Sequence, residues 1–166
     1  MASADEAEDP GSPVGRVTAV GDSVMLGAAK PLRKKLDNLE VMDAVVGMYP
    51  MDAIEILRSR SASGELGDTV IIHVGENGPF SAKEFDEMME VLGDRRAVFV
   101  NIKVPRTWET PNNEVLTEGT REYPNASLVD WYSVGAAHPE YFWDDGIHLR
   151  PEGATAYANL ISKSLR

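Results

Sequence analysis

Thr69-Val70-Ile71-Ile72-His73-Val74 is a nearly unbroken apolar run, the pattern of a strand covered on both faces. Such strands belong to parallel sheets, whose crossover connections are usually helices. Helical patterns flank the run on both sides. Upstream, Met51–Ser59 puts Ile54 and Leu57 on one face. Downstream, Ser81 followed by Glu84 reads as a capping box, and the helix after it carries Phe85, Met88, Met89 and Leu92. The alternation continues outward. Arg16–Asp22 reads as a first strand, running into a helical pattern with Leu26, Leu32 and Leu36. Leu39–Val46, Ala97–Val104 and Ser127–Tyr132 read as strands two, four and five, with a weaker helix over Pro111–Tyr123. Pro151 suits the first position of a last helix, 151–164, with Ala154, Tyr157, Leu160 and Ile161 facing inward. The pattern predicts an α/β fold: a three-layer α/β/α sandwich around a five-stranded parallel sheet, flavodoxin-like in order. Ligands of such sheets bind beyond the carboxyl ends of the strands.

The chain has 166 residues, the size of one domain with a single substantial core. Its formal net charge of -11 argues against nucleic acid or an anionic membrane surface as partner, because phosphate binding needs clustered Lys and Arg. The absence of cysteine excludes disulfides, thiolate zinc sites and cysteine nucleophiles, and assigns no compartment. No stretch approaches the ~18 apolar residues of a membrane span, and no signal-peptide core follows Met1. Residues 1–14 (MASADEAEDPGSPV) are small, acidic and Pro/Gly-bearing, and read as a disordered linker ahead of a domain over residues 15–166. A linker there implies that the domain follows another part of a longer protein. A complete genomic reading frame of this length would count against that.

Four turns carry residues with chemical potential. Ser23, in Gly21-Asp22-Ser23, follows the first strand directly and stands at a helix start, where free N–H groups favour developing negative charge. That suits a nucleophile; equally, Asp22 or Ser23 is only a helix cap. A serine nucleophile needs a base, and the base an orienting acid. Of three histidines, His73 lies inside a strand and reads as a structural, hydrogen-bonded residue, and His138 has no obvious role. His148 follows Asp145 by three residues across Gly146, so one loop can present imidazole and carboxylate together. The plainer alternative is an aspartate turn beside a capping histidine. Asn77, in Gly75-Glu76-Asn77-Gly78, offers an amide of the oxyanion-donor kind, or is simply part of a strand-to-helix turn. Gly47, after the second strand, offers a backbone N–H or is a turn glycine. All these turns follow strands or precede the last helix, so they fall along one sheet edge.

In order, Gly21-Asp22-Ser23-Val24, Gly47, Gly75-Glu76-Asn77-Gly78 and Asp145-Gly146-Ile147-His148-Leu149 resemble the four sequence blocks of the SGNH (GDSL-like) hydrolases, over residues 16–166. Asp43–Gly47, Val104–Glu109, Leu128–Tyr132 and His138–Phe142 narrow the likeness. They resemble the extracytoplasmic SGNH domain fused to acyltransferase-3 membrane proteins, such as the peptidoglycan O-acetyltransferases. The resemblance implies Ser23 as nucleophile, His148 as base and Asp145 as its orienter. It implies an oxyanion hole from the backbone N–H groups of Ser23 and Gly47 and the Asn77 amide. It implies no metal and no bound cofactor. An acyltransferase-3 membrane domain would deliver an acetyl group, and a cell-envelope glycan would accept it, on the extracytoplasmic face of a bacterial membrane. A cytoplasmic location stays open.

Two positions depart from the family pattern. The middle of the third block is more often Thr or Asn than Glu76, which is expected to point outward. Met48-Tyr49-Pro50 stands where related domains often carry a more polar pair. Tyr49, Trp108 and Trp143 are candidate substrate contacts, whereas the strand position of Trp131 suggests core. The same triad also serves a free-standing carbohydrate or small-ester esterase. A catalytically idle glycan-binding module is a further alternative.

Overall fold

The computed structural model describes residues 15–166; the linker reading of residues 1–14 lies outside the described residues. Five strands alternate with helices: β1 (Val17–Gly21), β2 (Leu39–Ala44), β3 (Thr69–His73), β4 (Arg96–Val100) and β5 (Ala126–Val129). Every pair is parallel, in the order β2-β1-β3-β4-β5. The seven described helices are α1 (Ser23–Gly27), α2 (Ala29–Lys35), α3 (Pro50–Ala62), α4 (Ala82–Leu92), α5 (Glu109–Glu122), α6 (Trp131–Ala137) and α7 (Pro151–Ser164). None of them is long and apolar enough to cross a membrane.

Alternation along the buried strands divides the core in two. Val17, Ala19, Ile71, Val98 and Val100 face α1, α2, α6 and α7. Val20, Val70, Ile72, Ala97 and Phe99 face α3, α4 and α5. Strand β3 is therefore buried at every residue, which is why its sequence shows no polar face. Local chemistry starts the helices. Ser81 Oγ accepts from the Glu84 N–H at 3.1 Å while Glu84 accepts from the Ser81 N–H at 2.9 Å, and Pro151 stands at the start of α7.

Register sets up the functional edge. Gly21 of β1 is level with Ala44 of β2 and His73 of β3. The loops after all three strands therefore leave the sheet together. The strand order reverses at β1, so the segments after β1 and β3 flank a crevice.

The expected fifth strand ends early. Asp130 turns the chain instead, accepting from the Ser133 N–H at 3.0 Å, and Asn101 Oδ1 accepts from the Tyr132 N–H at 2.7 Å. Trp131 thus opens a helix rather than extending a strand, yet it is buried, edge-on to Tyr157 at 5.2 Å. An Asp-x-x-Ser cap was the signal for this break.

Candidate active site

Ser23 is the first residue of α1, and Asp22 before it caps the helix by accepting from the Val24 N–H at 3.0 Å. The Asp22 N–H donates to the His73 carbonyl, and the Val45 N–H donates to the Gly21 carbonyl. These bonds tie the segment holding Ser23 to β3 on one side and to the loop after β2 on the other.

The acid and the imidazole arrive on a narrow two-strand loop. Phe142 bridges Leu149, the Trp143 N–H donates to the His148 carbonyl at 2.9 Å, and Arg150 Nε donates to the Phe142 carbonyl at 2.8 Å. Buried Phe142 and Leu149 anchor the loop. At its tip Asp145 Oδ1 accepts from the Ile147 and His148 N–H groups at 2.8 and 3.0 Å. Gly146 takes φ +72° there, a left-handed conformation that suits glycine. This folds the Asp145 carboxylate back so that Oδ2 lies 2.6 Å from His148 Nδ1. The opposite ring nitrogen, Nε2, is 2.9 Å from Ser23 Oγ. With Asp145 accepting from Nδ1–H, Nε2 faces the serine as acceptor. Partial burial pushes the Asp145 carboxyl up. The bonds from the His148 ring and from the Ile147 and His148 amides outweigh it and bring the group to about 2. The carboxylate is therefore ionised across the neutral range. Side chains of Asp145 and His148 are 45% and 46% exposed, so the relay is open to solvent.

Asn77 lies at the mouth of the loop after β3, where its Nδ2 donates to the Met48 carbonyl at 3.0 Å. One amide hydrogen is used in that bond and the second is free for a ligand. Gly47, next to Met48, sits in an exposed turn at φ +78°. The Asn77 bond therefore fixes the two loops against each other. Tyr49 is 52% exposed, and its ring covers Gly78, where an added Cβ would lie 3.0 Å from the ring edge.

Trp108 lies against the third turn. Its indole N–H donates to the Glu76 carbonyl at 3.1 Å, bracing the loop that holds Asn77. Trp143 is 49% exposed with the Arg150 guanidinium stacked on it at 4.3 Å. It borders a groove of about 480 Å³ that runs beside the His148 loop to Lys30 and Lys34. Glu76 corrects the expected outward orientation. It is 5% exposed, turned under the loop, with Oε2 2.8 Å from His73 Nε2. Burial here is tolerable because an imidazole and a second carboxyl, Asp22, share the space. His73 is the structural histidine expected, with Nδ1 2.6 Å from the Tyr157 hydroxyl.

Sequence reasoning missed Asn112. Buried in α5, it donates to the Gly75 and Gly78 carbonyls at 3.0 and 2.8 Å and accepts from the Phe80 N–H at 2.8 Å. It holds the whole turn around Asn77. An Asn inside an otherwise weak helix was its only mark.

A parallel sheet in this order thus carries a serine–histidine–aspartate relay on its carboxyl edge, an arrangement suited to nucleophilic acyl chemistry. No family model matches the chain. The Bacillus subtilis protein YrhL is 34% identical over 157 residues, 95% of this chain and 25% of its own length. The O-acetyltransferase OatA of Staphylococcus aureus is 36% identical over 147 residues, 88% of this chain and 24% of its own. The chain thus spans about a quarter of the length of the curated relatives it matches. Among solved structures, the C-terminal catalytic domain of Streptococcus pneumoniae peptidoglycan O-acetyltransferase A superposes with a TM-score of 0.81 at 24% identity, over 93% of this chain and 94% of that one. A GDSL-family lipolytic protein of Veillonella parvula superposes with a TM-score of 0.69 at 14% identity, over 88% and 96%. The chain is therefore similar in sequence to segments of peptidoglycan O-acetyltransferases, and it shares the fold of an O-acetyltransferase catalytic domain and of GDSL-family lipolytic proteins.

Proposed function

We propose that this domain transfers an acetyl group through an acyl-serine intermediate onto a hydroxyl of a cell-envelope glycan of the peptidoglycan type. The Asp145–His148–Ser23 relay carries the reading, with contacts of 2.6 and 2.9 Å already formed. Ser23 Oγ attacks the acyl carbonyl carbon as its proton passes to His148 Nε2. The ionised Asp145 stabilises the imidazolium and holds its orientation. The tetrahedral oxyanion is received by the Ser23 and Gly47 N–H groups and the free hydrogen of the Asn77 amide. Collapse expels the donor's leaving group, which takes the proton from His148. An acceptor hydroxyl then gives its proton to His148 and attacks the acyl-serine. The second collapse releases the acetyl ester and returns the proton to Ser23.

Identity of 34–36% to YrhL and OatA supports the transferase branch of the superfamily. The open relay suits a polymeric acceptor better than an enclosed cavity would. By the resemblance to acyltransferase-3 proteins, a membrane domain of that kind delivers the acetyl group to Ser23. The domain works on the extracytoplasmic face of the bacterial membrane. Tyr49 and Trp143 border the acceptor. Release of 4-nitrophenol from its acetate, with and without a chito-oligosaccharide, tests this against Ser23→Ala. Serine-dependent release with acetylated sugar is the expected result. Serine-dependent release of acetate alone would shift the domain to an esterase, and no release above Ser23→Ala would leave a glycan-binding module.

A further inference from the structure

Four ionisable groups outside the relay meet beneath the same sheet edge. Asp22, His73 and Tyr157 are fully buried and Glu76 nearly so. Each belongs to or adjoins a segment that carries a candidate site residue. Asp22 precedes Ser23, Glu76 precedes Asn77, and Tyr157 stands on the helix that begins three residues after His148. His73 ends the strand between them. Tyr157 Oη is 2.6 Å from His73 Nδ1, and His73 Nε2 is 2.8 Å from Glu76 Oε2, off the line of an ideal hydrogen bond. Asp22 Oδ2 and both Glu76 oxygens are buried, and no well-aligned N–H or O–H reaches them. Buried carboxyl oxygens without donors need an explanation. Adjacent acids satisfy one another when one is protonated and donates to the other.

We propose that Glu76 is a positioning residue of the active site: sharing a proton with Asp22 and braced by His73, it locks the loop of Asn77 to the loop of Ser23. This rests on the acyl-transfer reading for its catalytic consequence. The lock explains why an acid is accommodated at a position where a small polar residue would otherwise suffice. Burial lifts Glu76 to about 7, and burial together with the Glu76 carboxyl lifts Asp22 well above its ordinary value. Burial lowers His73, which therefore stays neutral. Asp22, His73 and Tyr157 are the titratable groups facing Glu76. One proton between the two acids leaves at most one charge in the cluster. Loss of that proton sets two carboxylates against each other directly behind the nucleophile.

Glu76→Gln and Glu76→Ala test the lock by two readouts. Amide hydrogen exchange at residues 24–26 and 75–78 needs no substrate. Glu76→Ala should speed exchange in both segments together by about tenfold, and Glu76→Gln, which still bonds Asp22, should restore most of the protection. In 4-nitrophenyl acetate turnover, Glu76→Ala should lower kcat by about 10- to 100-fold with little change in KM, while Glu76→Gln keeps most of kcat. The Gln variant should also lose any inflection near neutral pH that the parent shows. Unchanged exchange at either segment in Glu76→Ala would overturn the proposal. So would a lower melting temperature with kcat intact. If the parent itself released no more 4-nitrophenol than Ser23→Ala, the acyl-transfer reading would fall, and the exchange data would still decide the lock.

Discussion

Ser23, His148 and Asp145 form an acid–imidazole–hydroxyl set whose acid and base are about half exposed, whereas Glu76, His73 and Tyr157 form a chemically similar set that water does not reach. The two sets lie under and over the same sheet edge. Their acids move in opposite directions. Asp145 accepts two backbone N–H groups and an imidazole N–H, and it is held at about 2. Glu76 receives no aligned donor and is raised to about 7. The first set keeps an anion behind its histidine, which suits the general-base role proposed for His148. The second, in our proposal, shares a proton between Glu76 and Asp22 and serves position. Residue type alone does not distinguish the two sets; the donors around each carboxylate do.

Breaking the exposed set should have the largest effect. Ser23→Ala or His148→Ala should lower 4-nitrophenyl acetate turnover by up to about 10⁶-fold, with the melting temperature nearly unchanged. Asp145→Asn should cost about 10⁴-fold in kcat, since the amide no longer holds the imidazole in the reactive tautomer. Asn77→Ala should lose about 10²–10³-fold in kcat and still form the acyl-serine, which mass spectrometry of the trapped protein would reveal.

The buried set should answer in stability. Tyr157→Phe removes the hydroxyl at His73 Nδ1 and should cost about 1–3 kcal/mol in denaturant unfolding. Smallest of all is a slope with pH. A Glu76 group that titrates near 7 when folded and near 4.5 when unfolded stabilises most below 4.5. That contribution is lost as pH rises through 7. The melting temperature should therefore fall between pH 5 and pH 8, and Glu76→Gln should flatten the fall. Asp145 acts with the opposite sign. Its contribution is present above 3.8 and lost as pH drops through about 2, so Asp145→Asn should alter the acid limb alone.

The sheet was legible in the sequence because burial on both faces leaves uninterrupted apolar runs, as in Thr69–Val74. Turns were legible where a side chain acts on its own backbone, as Ser81 with Glu84 and Asp145 with His148 do. The end of β5 was misread because Asp130 and Ser133 lie within a run that is otherwise apolar enough to extend the strand.

The sequence by itself determined the alternation of elements, the order of the four turns and the residues available at each, because these depend on local pattern and on chain order. Tertiary structure alone decided where side chains point. Nothing in Gly75-Glu76-Asn77 distinguishes an acid aimed at solvent from one aimed at His73, three residues earlier, whose other ring nitrogen meets Tyr157 from the last helix. Nor does any local signal bring Ser23 within 2.9 Å of His148, or place Asn112 behind the Asn77 turn. Those contacts join residues far apart in the chain. The register of β1 against β3 and the docking of α5 and α7 on the sheet create them.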